Sequence, residues 1–169
     1  MPSLLHSNRT YVSIGGDYMN QTEVFIKAFY KSINLMIPSV ISISNITDIL
    51  NINLIHWSNT SAMTYYNKQY FMFINEFLTS QQQWQEFGHE MCHYFNDRIN
   101  RKNVNSSFVD YCETKADYFA YHFCVPTFML QKMKRIDVYD VMQLFNVEFD
   151  FALRRLEMYH NKILSKGVL

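Results

Sequence analysis

Residues 79 to 96, TSQQQWQEFGHEMCHYFN, carry the pattern that constrains this chain most. At about 100° per residue, Trp84, Phe87, Met91 and Phe95 share one stripe, while His89 and His93 lie roughly 140° to 180° from Trp84. The segment predicts a helix capped by Thr79 or Ser80, running to about Asn96 and buried along its aromatic stripe. Histidines serving only a core would fall on that stripe; these face away from it. Residues i and i+4 project from one helical face, so both imidazoles can reach a single ion. Glu90 completes the pattern H-E-x-x-H, in which the carboxylate is not a ligand but can accept a proton from water activated at the metal. Cys92 lies between the two faces and reads as a small core residue.

A second striped segment follows the polar stretch NDRINRKNVNSS. In SFVDYCETKADYFAYHFC, residues Val109, Cys112, Ala116, Phe119, Ala120 and Phe123 share a helical face, and Glu113 sits on its edge, about 40° from Val109. A carboxylate at such an edge needs a partner, because burying it alone costs several kcal/mol or neutralises it. Catalytic zinc keeps three protein ligands and an open fourth position. Spacing leaves three candidates for the third ligand: Asp110, Glu113 and Asp117.

The remaining chain supplies a scaffold. Residues 1–20, with Gly15-Gly16, show no period and read as a loose lead-in. In QTEVFIKAFYKSINLMI, Val24, Ile26, Phe29, Ile33 and Met36 recur near helical spacing until Pro38. SNITDILNI reads as a short helix capped by Ser44 or Asn45. INLIHW, SAMTYY and YFMFIN, rich in branched and aromatic residues, predict three strands, the last two joined by a turn at Asn67-Lys68-Gln69. The expected sheet is small and mostly antiparallel, with Phe71 and Phe73 covered on one side and Tyr70, Met72 and Ile74 on the other. Pro126 ends the second striped helix, and VYDVMQLF and EFDFALRRLEMYHNKIL give a helical segment over about 137–165. With 169 residues, 49% of them apolar, one α+β domain over 21–169 is expected.

Composition narrows the function. Lysine plus arginine number 15 and aspartate plus glutamate number 15, so no basic excess draws the chain to phosphate backbones. The C-terminal segment has the length of a helix-turn-helix pair. Asp137, Asp140, Glu148 and Asp150 would repel phosphates there, and Arg154 and Arg155 are too few for a basic face, so direct nucleic-acid binding is not expected. The N-terminus lacks the pattern of a secretory signal, and the longest apolar stretch, INLMIPSVISI, is broken by Pro38 and too short to span a bilayer. A cytoplasmic location is expected. Cys92, Cys112 and Cys124 form an odd set without CxxC spacing, which argues against a disulfide framework or a cysteine zinc knot.

QEFGHEMCHYF followed by ETKADYFAYHFCVP resembles the ImmA/IrrE family of zincin-type metallopeptidases, in which an HExxH helix precedes a helix reading E-x-x-A-N-x-F-A and then a proline. Glu113, Ala116, Phe119, Ala120 and Pro126 match, whereas Asp117 replaces the usual asparagine and adds a second carboxylate near the ion. The resemblance implies a zincin-like domain whose small sheet packs on the HExxH helix with further C-terminal helices, with Zn2+ held by His89, His93 and Glu113. It implies Glu90 as the catalytic carboxylate. Asp117, one turn after Glu113 and on the same helix face, is expected to orient a histidine without ligating. The implied substrate is a helix-turn-helix repressor of a phage or mobile element, cut to relieve repression. The rival is a non-cleaving, zinc-stapled regulator that binds a repressor or DNA. An edge strand, YFMFIN or its neighbour, would pair with an extended substrate. Tyr94, Tyr111 and Tyr121 are open candidates for stabilising an oxyanion, and His122 reads as a surface or core residue with a substrate contact as its alternative.

Overall fold

Caps encoded in the chain set most element boundaries of the structure, a computed structural model that describes residues 12–14, 17–96 and 106–165. Asn20 opens α1 (Gln21–Ser32) through a reciprocal capping box with Glu23. The helix stops short of Pro38 because Asn34 turns left-handed at φ 58. The N–H groups of Asn34 and Leu35 then close on the carbonyls of Lys31 and Tyr30 at 3.2 and 3.0 Å, a Schellman ending. Ile33 and Met36 therefore pack from outside the helix. After a short 3₁₀ turn at Pro38–Val40, α2 (Ile43–Leu50) is capped by Ser42. Ser44 and Asn45, the expected caps, lie within its first turn, and the Ser42 hydroxyl accepts from the Asn45 N–H at 3.1 Å.

Two short strands, β1 (Val12–Ile14) and β2 (Asp17–Met19), pair antiparallel where the sequence shows no period, and Met19 is buried in the core. The rest of the 1–20 stretch, like residues 97–105 of the polar stretch, lies outside the described residues.

The main sheet holds β3 (Ile52–Trp57), β4 (Ala62–Tyr66) and β5 (Gln69–Asn75) in the order β3-β5-β4. It is mixed rather than mostly antiparallel: β5 runs parallel to β3 and antiparallel to β4. The chain between β3 and β4 crosses the width of a strand, and the returning hairpin fills the gap. That hairpin turns on Asn67 and Lys68, at φ 47 and 63, the two positive angles of a type I′ turn. YFMFIN is thus the central strand, not an edge, and its neighbour β4 is an edge. On β5, Met72 and Ile74 are fully buried toward the helices, with Phe71 and Phe73 half-buried on the opposite face.

Thr79 caps α3 (Ser80–Phe95) through a box with Gln82. This helix packs against both the sheet and α4 (Ser106–Cys124). Trp84 and Phe87 meet Phe123 of α4 at 5.8 and 6.1 Å between rings. The α4 stripe is buried from Ala116 onward, while Val109 is exposed and Cys112 half-buried, because the first half of α4 extends past this aromatic core.

Pro126 caps α5 (Thr127–Leu130), followed by α6 (Val138–Phe145) and α7 (Phe149–Leu164). Helix α7 is pinned by a buried polar seam. Arg155, fully buried, donates to the Val125 carbonyl at 3.0 Å and to the Thr127 hydroxyl at 2.7 Å. Thr127 in turn donates to Glu23 at 2.6 Å, and Lys162 reaches the same carboxylate at 2.5 Å. Arg155 is therefore unavailable to phosphates, and Arg154 is paired with Glu157 at 3.2 Å. No helix among the described residues is long and apolar enough to cross a membrane.

Candidate metal centre

The close approach of α3 and α4 builds the site. At Gly88 an added Cβ would stand 2.6 Å from Cys124 Sγ and 3.5 Å from the Ala120 backbone, so only glycine lets the helices meet at this distance. One residue further on, His89 points across the seam to α4. Its Nε2 lies 3.1 Å from Glu113 Oε2 and 3.2 Å from the Nε2 of His93, which in turn lies 3.7 Å from Glu113 Oε1. Two nitrogens held 2.0 to 2.1 Å from one tetrahedral ion stand roughly 3.3 Å apart, so the observed spacing suits shared ligation.

Asp117 Oδ1 lies 2.8 Å from His89 Nδ1, and because a carboxylate offers only acceptors, this bond needs the proton on Nδ1, the tautomer whose Nε2 lone pair is available to an ion shared with His93 and Glu113. Carboxylate–histidine pairs of this kind orient metal ligands. His89, His93 and Glu113 each offer one ligand atom, and these atoms lie within 4.8 Å of one another; Asp110 is not in the group. Two imidazoles and a carboxylate fit a divalent transition ion and leave a further coordination position open.

Glu90 points from the same helix toward the sheet. It is only 8% exposed, and one carboxylate oxygen accepts the backbone N–H of Met63, on β4, at 2.8 Å. Burial pushes its carboxyl up to about 7, partly opposed by that hydrogen bond and by His89. A buried carboxylate raised toward neutrality can exchange protons at ordinary pH.

The remaining sequence candidates sort by position. Cys92 is buried, and burial pushes its thiol up to about 12, leaving an inert core residue. His122 is buried beside Tyr118 and 3.8 Å from Glu23, within the polar seam; burial, then Arg155 and Lys162, holds its pKa well below the ordinary value. Tyr121 packs on Phe151, Tyr111 lies under Lys115, and Tyr94 meets Tyr70 edge to face. Sequence reasoning missed Met63, whose contribution is a backbone N–H, and the seat at Gly88. The spacing Gly88, Ala116, Ala120 and Cys124 was the available sign of a close helix pair.

The α+β layout and this His-His-Glu group define a metallopeptidase-like domain. A family model described as the IrrE N-terminal-like domain, peptidase family M78, matches residues 48–157, and the chain belongs to that family. It is 32% identical over 153 residues to the phage-like element PBSX protein XkdA of Bacillus subtilis strain 168, covering 87% of this chain and 77% of that protein. It is 30% identical over 146 residues to YqaB of the same organism, covering 83% of this chain and 85% of YqaB. Among solved structures, a Mycobacterium tuberculosis transcriptional regulator shares the fold at a TM-score of 0.61 and 14% identity, over 82% of this chain. This chain spans 56% of the length of that structure.

Proposed function

We propose that this protein is a zinc-dependent endopeptidase in which His89, His93 and Glu113 hold the ion and Glu90 is the catalytic carboxylate. The carrying observation is the meeting of two imidazole Nε2 atoms, 3.2 Å apart, with a carboxylate from the neighbouring helix. Zinc, when bound, polarises the scissile carbonyl and acidifies water enough for attack near neutral pH. Glu90 accepts the proton of the attacking water and passes it to the leaving amine. The Met63 N–H holds one Glu90 oxygen and leaves the other for that proton. Asp117 keeps His89 in the ligating tautomer. Among the described residues β4 pairs on one side only, and its other edge receives an extended substrate backbone.

The substrate we propose is a helix-turn-helix repressor of a phage or mobile element, a reading supported by family membership and by likeness to a phage-element protein. Wild type or Glu90→Gln is co-expressed with each helix-turn-helix protein found in the neighbouring reading frames, and that protein is followed by immunoblot and intact mass. Glutamine keeps size and polarity, so zinc content should hold while cleavage falls by roughly 10² to 10⁴-fold. Relief of repression by Glu90→Gln with the repressor still full length would instead establish a non-cleaving regulator.

A further inference from the structure

The β4–β5 hairpin assigns direction to every backbone group on β4. Its two-residue turn closes Tyr66 against Gln69 as a hydrogen-bonded pair, and alternation then turns the N–H and C=O of Thr64 and Ala62 toward β5. Those of Met63 and Tyr65 point outward, and the Met63 N–H bears this out by donating to Glu90 at 2.8 Å. With that donor committed, an incoming strand finds the Met63 carbonyl and both backbone groups of Tyr65. So short a ladder sets register weakly, and a side chain must supply the discrimination.

Tyr65 is placed to supply it. Its side chain shares the sheet face of Met63, on the side of α3, yet remains 51% exposed. Its ring lies 4.7 Å from that of Tyr70, and Tyr70 lies 4.7 Å from Tyr94, the residue after His93. An aromatic wall therefore starts beside the metal ligands and ends in solvent at Tyr65. A substrate residue directly opposite Tyr65 on an added strand would project to the same face, with Cβ atoms about 4.5 to 5.5 Å apart.

We propose that Tyr65 forms a specificity subsite for a bulky apolar or aromatic side chain, two residues along an extended substrate from the one that faces Met63 and Glu90. The inference rests on the peptidase reading for its place in a reaction, but binding at the subsite is measured without turnover. Fluorophore-labelled nine-residue peptides of Gly, Ser and Thr, each with one Phe at a different position, are titrated into zinc-loaded Glu90→Gln protein and followed by anisotropy. At least one Phe position should bind about ten-fold tighter than the Phe-free peptide. Tyr65→Ala should abolish that advantage and Tyr65→Phe should keep it, both with unchanged zinc content. Binding that ignores Phe, an advantage that survives Tyr65→Ala, or no binding at millimolar peptide overturns the subsite. Wild-type enzyme is then given the same peptides. Cleavage at a constant distance from the walked Phe supports both readings, whereas tight, Phe-dependent binding without cleavage leaves the subsite standing and removes the peptidase.

Discussion

A single missing methyl group sets the distance between the helices that carry the candidate ligands. In Gly88→Ala the new Cβ would meet Cys124 Sγ, which is itself buried and donates to the Trp84 carbonyl at 3.3 Å. Overpacking of this kind costs about 1 to 3 kcal/mol, more than the roughly 1 kcal/mol alanine adds to helix propensity. Gly88→Ala should therefore lower stability in urea denaturation and weaken zinc binding by shifting His89 against Glu113. In a Cys124→Ala background the nearest remaining contacts are ordinary, at 3.5 and 3.6 Å, so the same substitution should be neutral or stabilising. A double-mutant cycle without coupling between the two positions would refute this account. Asp117 acts at the same scale. Asp117→Asn keeps an oxygen that can accept from His89 Nδ1 and should retain most zinc affinity, while Asp117→Ala should lose 10- to 100-fold in chelator competition. Complete loss of zinc from Asp117→Asn would make it a ligand. Asp117 was visible in the sequence because it follows Glu113 by one helical turn. Met63 was not, since its contact to Glu90 spans 27 residues and uses a group every residue but proline possesses.

Helix boundaries were legible at reciprocal boxes such as Thr79 with Gln82 and Asp137 with Asp140, less so at α2, where Ser42 caps in place of the expected Ser44 or Asn45. They drifted where backbone conformation decides, as at Asn34, whose positive φ ends α1 before the apolar period ends. Strands showed their faces but not their neighbours, because a two-residue alternation is the same for a central and an edge strand. The seam holding α7 to α1 was equally hidden, its members Glu23, Thr127, Arg155 and Lys162 being far apart in the chain. Removing Glu23 takes away the acceptor shared by Thr127 and Lys162 and a negative charge that offsets buried Arg155, so Glu23→Ala should cost about 3 to 5 kcal/mol. For a chain of this size that is a fall in Tm of about 10 °C, read by thermal unfolding. The hairpin carries a smaller reserve: Lys68 holds a left-handed angle that glycine adopts freely, so Lys68→Gly should raise stability by about 0.5 to 1 kcal/mol.

For the molecule as a whole, an ion held between α3 and α4 would bind the folded state and stabilise it by mass action. At a hundred times Kd the gain is about 2.7 kcal/mol, or roughly 5 to 10 °C in Tm. Differential scanning should find this shift on zinc addition in wild type and in Glu90→Gln, and find none in His93→Ala. A shift of equal size in His93→Ala would remove that residue from the ligand set. The Asn67-Lys68 turn extends the same dependence to the length of the chain. Surface loops ordinarily tolerate an inserted residue, but here the count of residues between β4 and β5 determines which β4 amide faces Glu90. One extra codon between Tyr66 and Gln69 that slipped the register would turn the Met63 amide into the sheet and Tyr65 to the far face. A substitution scan across this hairpin should look permissive, while a scan of single-residue insertions and deletions should mark it as one of the least tolerant surface turns in the protein.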